Sequence, residues 1–246
     1  MSFASQVKAE LCRQPPRKKC CAVAMAYGAL LYCNTFSPRE IRLVTASGEF
    51  ASLLPRLFRR AFGLGFDEQP EPEAQGKRRF LITEPEKTAA VFRAFGMEPE
   101  DTLALHINLG VLESDCCRAS FVRGAFLAGG SVTDPLKSYH LELVTAHASV
   151  SRELGSLLYE LGFEPGQARR GANYVSYFKQ SETIADFLTA IGAPVAALDV
   201  MSAKVERDMR NEINRKVNCD TANADKTVAA AQQQLEAIRA VEREYG

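Results

Sequence analysis

Cys20-Cys21-Ala22-Val23-Ala24-Met25-Ala26-Tyr27-Gly28-Ala29-Leu30-Leu31 is told a second time as Cys116-Cys117-Arg118-Ala119-Ser120-Phe121-Val122-Arg123-Gly124-Ala125-Phe126-Leu127. The double cysteine and the glycine recur at a spacing of 96 residues. Leu43-Val44-Thr45-Ala46 returns as Leu143-Val144-Thr145-Ala146, four residues late. Glu86-Lys87-Thr88-Ala89 with Gly96 returns in step, as Glu182-Thr183-Ile184-Ala185 with Gly192. A repeat of this length governs the architecture and has to be read before single elements. Two copies are too few for a solenoid. They predict a pseudo-two-fold domain in which the matched segments pack on each other.

Working outward from the glycines, each copy reads as helix, strand, strand, helix, strand, strand, helix. Ile41 to Thr45 and Tyr139 to Thr145 alternate apolar and polar residues, as half-buried strands do. Leu53, Leu54, Leu57 and Phe58, like Leu154, Leu157, Leu158 and Leu161, follow helical spacing, and Gly63 and Gly162 end those helices. Hairpins are expected with tips near Gln75-Gly76-Lys77 and Arg170-Gly171-Ala172-Asn173, leading into strands Phe80 to Thr83 and Tyr174 to Phe178. Glu86 to Phe95 and Ser181 to Ile191 close the copies as amphipathic helices. Beyond Pro194 the pattern changes to long polar helices. The fold class is α+β, a tandem αββαββα duplication with added C-terminal helices. Its divisions are an N-terminal helix and basic arm (1–19), a first repeat with connector (20–114), a second repeat (115–195) and a polar helical segment (196–246).

Glycine inside a helix costs about 1 kcal/mol relative to alanine, so Gly28 and Gly124 need a reason. Ala24 with Gly28, and Gly124 with Ala128, form small-x-x-x-small faces that let two helix backbones approach closely. The expected product is a helix pair on the pseudo-two-fold, joining the halves of a saddle-shaped sheet.

Composition sets limits. Of 246 residues, 46% are hydrophobic and 24% charged, as in ordinary globular proteins. No run approaches the roughly 20 apolar residues of a membrane span, and the N-terminus lacks the order of a signal peptide. A cytoplasmic location is expected. The 7 cysteines include two adjacent pairs and no C-x-x-C, and the 3 histidines have no zinc spacing with them. Reduced core cysteines, with no metal and no cofactor, are the expectation.

Net charge is zero, so any nucleic-acid surface must be local. Lys77, Arg78 and Arg79 correspond to Arg169 and Arg170 in the second copy, with Lys179 near by. Such clusters are either solvated strand edges or a shared binding surface. Arg207, Arg210, Asn211, Asn214 and Arg215 fall near one helical face, and arginine and asparagine contact phosphates and base edges. The same residues also suit a hydrogen-bonded docking network.

Phe121-Val122-Arg123-Gly124-Ala125-Phe126-Leu127-Ala128-Gly129-Gly130-Ser131-Val132 resembles the signature helix and first strand of LAGLIDADG homing endonucleases. The whole chain resembles the WhiA family of bacterial sporulation and cell-division regulators. Phe121 to Tyr139 with His140-Leu141-Glu142 carry that likeness, as do Asp208-Met209-Arg210-Asn211, Asn214-Arg215, Asn218-Cys219, Thr221-Ala222-Asn223 and Lys226-Thr227. The resemblance implies a non-enzymatic, DNA-binding regulator of transcription, sporulation, cell division and chromosome segregation, associated with the nucleoid. Its partners would be double-stranded DNA and a regulatory protein, with no membrane. In the nuclease family an acidic residue ends each signature helix and binds the catalytic ions. Cys33 and Gly129 stand there, preceded by Tyr32 and Ala128, so no catalytic residues and no metal ligands are expected. Thr221 to Tyr245 reads as a helix, and the helix-turn-helix domain that follows it in the family is expected to be missing. The alternative reading is a protein-interaction scaffold that does not bind DNA.

Overall fold

Helices α2 (Lys19–Leu31) and α5 (Asp115–Gly129) lie backbone against backbone in the computed structural model, which describes residues 2–71, 76–99 and 104–246. A Cβ on Gly28 would overlap the Phe121 carbonyl oxygen and stand 2.9 Å from the Ala125 nitrogen. A Cβ on Gly124 would overlap the Met25 carbonyl oxygen and stand 2.9 Å from the Ala29 nitrogen. Met25 and Phe121, and Ala29 and Ala125, are themselves equivalent across the repeat, so the contact obeys the two-fold atom for atom. α2 is buried along most of its length, as an all-round apolar helix should be, while α5 buries Phe121, Val122 and the run from Gly124 to Leu127.

The remaining elements flank this pair. α1 (Phe3–Cys12) precedes it. The first repeat continues with β1 (Thr35–Phe36), β2 (Ile41–Thr45), α3 (Gly48–Phe62), β3 (Arg78–Ile82) and α4 (Pro85–Ala94). A short 3-10 turn (Leu109–Val111) leads into α5. The second repeat adds β4 (Gly130–Val132), β5 (Leu141–Thr145), α6 (Ala148–Glu160), β6 (Gly166–Arg170), β7 (Asn173–Phe178) and α7 (Ser181–Ile191). Gly63 (φ 75°), Gly96 (φ 68°), Gly162 (φ 86°) and Gly192 (φ 98°) adopt the left-handed conformation that ends helices. Those four stops were readable from the sequence.

Two antiparallel sheets result, ordered β1-β2-β3 and β4-β5-β7-β6. Among the described residues, the expected fourth strand of the first repeat is an isolated bridge, Glu68 to Leu81. Asp67 anchors this segment: its carboxylate accepts hydrogen bonds from the Thr83 and Glu84 backbone N–H groups (2.7 and 2.9 Å), just ahead of α4, and from Lys87 Nζ (2.5 Å). Gln75, at the expected tip of this hairpin, lies outside the described residues. In the second repeat, Gly171 (φ 61°) makes the tight turn between β6 and β7.

The helices expected beyond Pro194 are one helix, α8 (Pro194–Tyr245). No proline or glycine interrupts the sequence between Pro194 and Gly246, so nothing local breaks it. Two compact units divide the chain, residues 1–201 and 202–246. Within the first, Glu10 of α1 accepts from the Val195 and Ala196 N–H groups (2.8 and 3.0 Å), satisfying two of the donors that open α8.

Candidate nucleic-acid interface

Side chains alternate across a strand, so neighbouring arginines cannot share a sheet face. β3 places Arg78 opposite Thr45 and Arg79 opposite Val44. Phe80 and Ile82 are buried, which puts Arg78 in their row and Arg79 in the outward row with Leu81. β6 does the same: Arg169 pairs with Tyr174, and Arg170 with Asn173. The two expected clusters therefore divide. Only Arg79 and Arg170 share the outward faces, while Arg78 borders Gly48 and Glu49 at the start of α3.

The outward arginines are already matched with acids. Arg42 meets Glu40 at 3.3 Å, Arg79 meets Glu68 at 2.7 Å, and Arg170 meets Glu142 at 2.9 Å. Glu142 also contacts His140 Nε2 at 3.2 Å. Partial burial would raise the Glu142 carboxyl, but Arg170 and His140 outweigh it and hold it below the ordinary range. Arg169 lies over the Tyr174 ring at 5.6 Å and Lys179 over Tyr177 at 5.0 Å. Both cations thus spend part of their field on aromatic faces. Lys77 is exposed just ahead of β3. Glu40, two residues before Arg42, was readable by alternation; Glu68 and Glu142 were not, because they lie 11 and 28 residues from their arginines.

A second basic surface went unmarked in the sequence. Arg56, Arg59 and Arg60 of α3 line a depression with Pro15 and Pro16 of the basic arm. Arg60 donates to the Arg17 carbonyl, and no ion pair forms with Arg56, Arg59 or Arg60 among the described residues. Their one-turn spacing was the available signal.

On α8, Arg210, Asn211, Asn214 and Arg215 are exposed and Arg207 is half-buried. Successive residues advance about 100°, so these five and Asn218 occupy one broad face. Arg215 Nε donates to the Asn211 carbonyl at 3.3 Å along its own helix. Neither Arg210 nor Arg215 forms an ion pair among the described residues.

The C-terminal ends of α2 and α5 meet, as the duplication requires. A Cβ on Gly129 would stand 2.9 Å from Tyr32 Cδ1. Thr145 Oγ1 donates to the Leu31 carbonyl at 3.0 Å, and the Cys33 thiol donates to the Thr35 carbonyl at 3.1 Å. Burial pushes that thiol up to about 12, so it stays protonated at neutral pH. The Tyr32 hydroxyl is buried without a hydrogen-bond partner. Asp134 sits apart in the β4–β5 turn, where it accepts from the Leu136 N–H at 3.0 Å.

The opposite ends of the same helices bring three cysteines together, with Cys116 interacting with Cys21 beside them. Sulfur atoms of Cys20, Cys21 and Cys117 lie within 4.8 Å of one another. Sequence spacing gave no hint of this, because spacing rules describe ligands near in the chain and these pairs are 96 residues apart.

Comparison with known proteins agrees with this geometry. The family model described as the WhiA LAGLIDADG-like domain matches residues 118–210, and that of the WhiA C-terminal HTH domain matches residues 213–246. The helix-turn-helix region expected to be missing is therefore recognised in the chain, and all of it but Gly246 lies in α8. The chain is 34% identical over 254 residues to a "Probable cell division protein WhiA" of Ruminiclostridium cellulolyticum, spanning 100% of this chain and 81% of that protein. A protein of the same name from Clostridium botulinum is 32% identical over 260 residues, spanning 100% and 82%. The crystal structure of full-length DUF199/WhiA from Thermatoga maritima shares the fold, with a TM-score of 0.73 at 22% identity over 100% of this chain and 81% of that one. A duplicated LAGLIDADG-like α+β domain, a recognised C-terminal region and relatives matched along the whole chain make this protein a member of the WhiA family.

Proposed function

We propose that the protein is a DNA-binding regulator of cell division that acts without catalysis, and that α8 is its principal DNA contact. The observation that carries this reading is the match of residues 213–246 to a helix-turn-helix domain, beside an exposed Arg210, Asn211, Asn214 and Arg215 face. Phosphates take charge from arginine, and asparagine suits adenine edges. Transcriptional control, with roles in sporulation and chromosome segregation at the nucleoid of the cytoplasm, is the setting in which such a regulator would work. No helix among the described residues is long and apolar enough to cross a membrane. The divisions at 19, 114 and 195 remain the proposed working units.

Catalysis is set aside on the chemistry of the helix ends. Hydrolysis of a phosphodiester by hard divalent ions needs converging oxygen ligands. Tyr32, Cys33, Ala128 and Gly129 supply a buried phenol, a protonated thiol and no carboxylate. Plasmid incubated with Mg²⁺ or Mn²⁺ should stay uncut, and cleavage that follows the purified protein would reverse this conclusion.

Fluorescence anisotropy with duplex DNA across a salt series tests the DNA reading. Binding should weaken steeply with salt as counterions are released. Replacing Arg210 and Arg215 with glutamate should weaken it by about 10-fold or more. No binding at low salt would defeat it.

A second reading applies to the sheets. Because Arg42, Arg79 and Arg170 are each neutralised by a carboxylate, the outward faces suit a protein partner better than a polyanion. Charge reversal at Arg169 and Arg170 separates the two uses: lost duplex affinity assigns these strands to DNA, and unchanged affinity assigns them to a protein.

A further inference from the structure

Cys20 and Cys21 occupy the second and third positions of α2, and Cys116 and Cys117 the same positions of α5. Because the helices start side by side, the two pairs face each other across the pseudo-two-fold. The Cys21 thiol interacts with Cys116, and Cys117 with Cys20. Packing accounts for Cys21 and Cys117, which are buried. It does not account for Cys20 and Cys116, which are exposed. A matched pair of exposed thiols above a matched pair of buried ones is the donor set of a four-sulfur site.

Two further features surround the sulfurs. Neither helix has a side-chain cap, although Ser114 stands at the capping position of α5. Its hydroxyl instead donates to Cys117 Sγ at 3.1 Å and lies 3.3 Å from Cys116 Sγ. The four cysteines stand in the first turns of the two helices, where a helix N-terminus stabilises thiolate. Arg13, Arg17, Lys18 and Arg123 line the adjoining depression with Cys21 and Cys116, and their charge would offset that of the sulfurs.

We propose that Cys20, Cys21, Cys116 and Cys117 bind one thiophilic closed-shell cation of the zinc class, joining the first turns of α2 and α5. Tetrahedral zinc at about 2.3 Å from each sulfur needs sulfur–sulfur edges of about 3.8 Å. Cys20, Cys21 and Cys117 already lie within 4.8 Å of one another, and Cys116 interacts with Cys21. A disulfide would use two sulfurs and leave the others adjacent, whereas one cation uses all four. Binding would displace the thiol protons, so affinity should rise with pH. The site is independent of DNA binding.

The test uses the full 246-residue chain, purified under reducing conditions, stripped with a chelator and titrated with Zn²⁺ or Co²⁺ alone. We expect about one ion per chain by elemental analysis, and with Co²⁺ the thiolate charge-transfer and tetrahedral d–d bands. Cys20→Ser and Cys116→Ser change exposed positions and should leave the fold intact by circular dichroism while weakening Zn²⁺ binding at least tenfold. Cys219→Ser should bind like the parent. Absence of any ion on the reduced, folded parent overturns the proposal. So does binding that survives both serine variants, or a Cys21–Cys116 disulfide by mass spectrometry in protein that takes up no ion even after reduction.

Discussion

The two repeats agree at their shared axis and part company at their edges. At the axis, Gly28 and Gly124 meet equivalent backbone atoms of the other copy. One step away, the same task is done with different chemistry. Tyr27 and Arg123 are equivalent positions on α2 and α5. The Tyr27 ring stacks on Phe95 at 4.2 Å, and its hydroxyl donates to the His106 carbonyl and accepts from the Asn108 N–H. Arg123 donates to the Ile191 carbonyl at 2.5 Å and to the Gln14 carbonyl at 2.9 Å. Phe95 and Ile191 are again equivalent. Each residue thus ties the end of its own repeat's last helix to the segment that leads into the other repeat. At the outer edge the likeness is gone: β6 is a full strand, while its counterpart is a single bridge held by Asp67. Close backbone packing tolerates no variation, side-chain contacts tolerate substitution by function, and sheet edges tolerate loss.

Gly28→Ala and Gly124→Ala should be the most damaging changes, and equally so. Each drives a methyl group into a carbonyl that cannot yield, at a cost of about 3 kcal/mol; urea unfolding of the pair measures it, and one tolerated substitution would break the symmetry. Tyr27→Phe should cost about 2 kcal/mol by stranding the His106 carbonyl and the Asn108 N–H. Faster hydrogen exchange at Asn108 would locate the effect.

Asp67→Asn should cost about 1 kcal/mol at neutral pH, and it probes the asymmetric edge, since Gly166 takes the register of Glu68 and Pro165 precedes it. Desolvation would raise the Asp67 carboxyl, but Lys87 and the Thr83 and Glu84 N–H groups outweigh it and lower it from 3.8 to about 2. Its folded value being depressed, the contribution is complete above the unfolded value and fades as pH falls through the folded one. Parent and variant should therefore converge between pH 3.8 and about 2. Arg170→Ala should be smallest, under about 1 kcal/mol, because the Glu142 pair is exposed on the arginine side. A larger shift in thermal unfolding would show the outward network to be structural.

The duplication was legible because the sequence repeats glycines, cysteines and helix stops at fixed spacing, and all three are tied to backbone geometry. The single bridge at Glu68 was not, since Asp67 and Glu68 look like any polar segment until the Asp67 carboxylate is seen holding the residues ahead of α4. Strand alternation alone separates Arg169 from Arg170, so that part of the interface was readable and the matched-cluster reading overlooked it. The carboxylate partners of Arg79 and Arg170 could not be read, because register places Glu142 beside a residue 28 positions away. The cysteine cluster was hidden for the same reason on a longer scale. A continuous α8 was hidden by its asparagines, which favour caps and turns but yield in a helix lacking glycine and proline.

The loop arithmetic shows what the glycine contact enforces. Ser37 N–H bonds to the Glu40 carbonyl in the first repeat, and Thr133 N–H to the His140 carbonyl in the second, so the four extra residues are confined to that hairpin loop. An insertion within α2 or α5 would instead rotate everything after it by about 100° and swing a side chain into the place of the glycine. Growth and shrinkage of the chain are thereby channelled to the periphery. The ancient halves can change length only where they do not touch, and the seam between them preserves the record of their common origin.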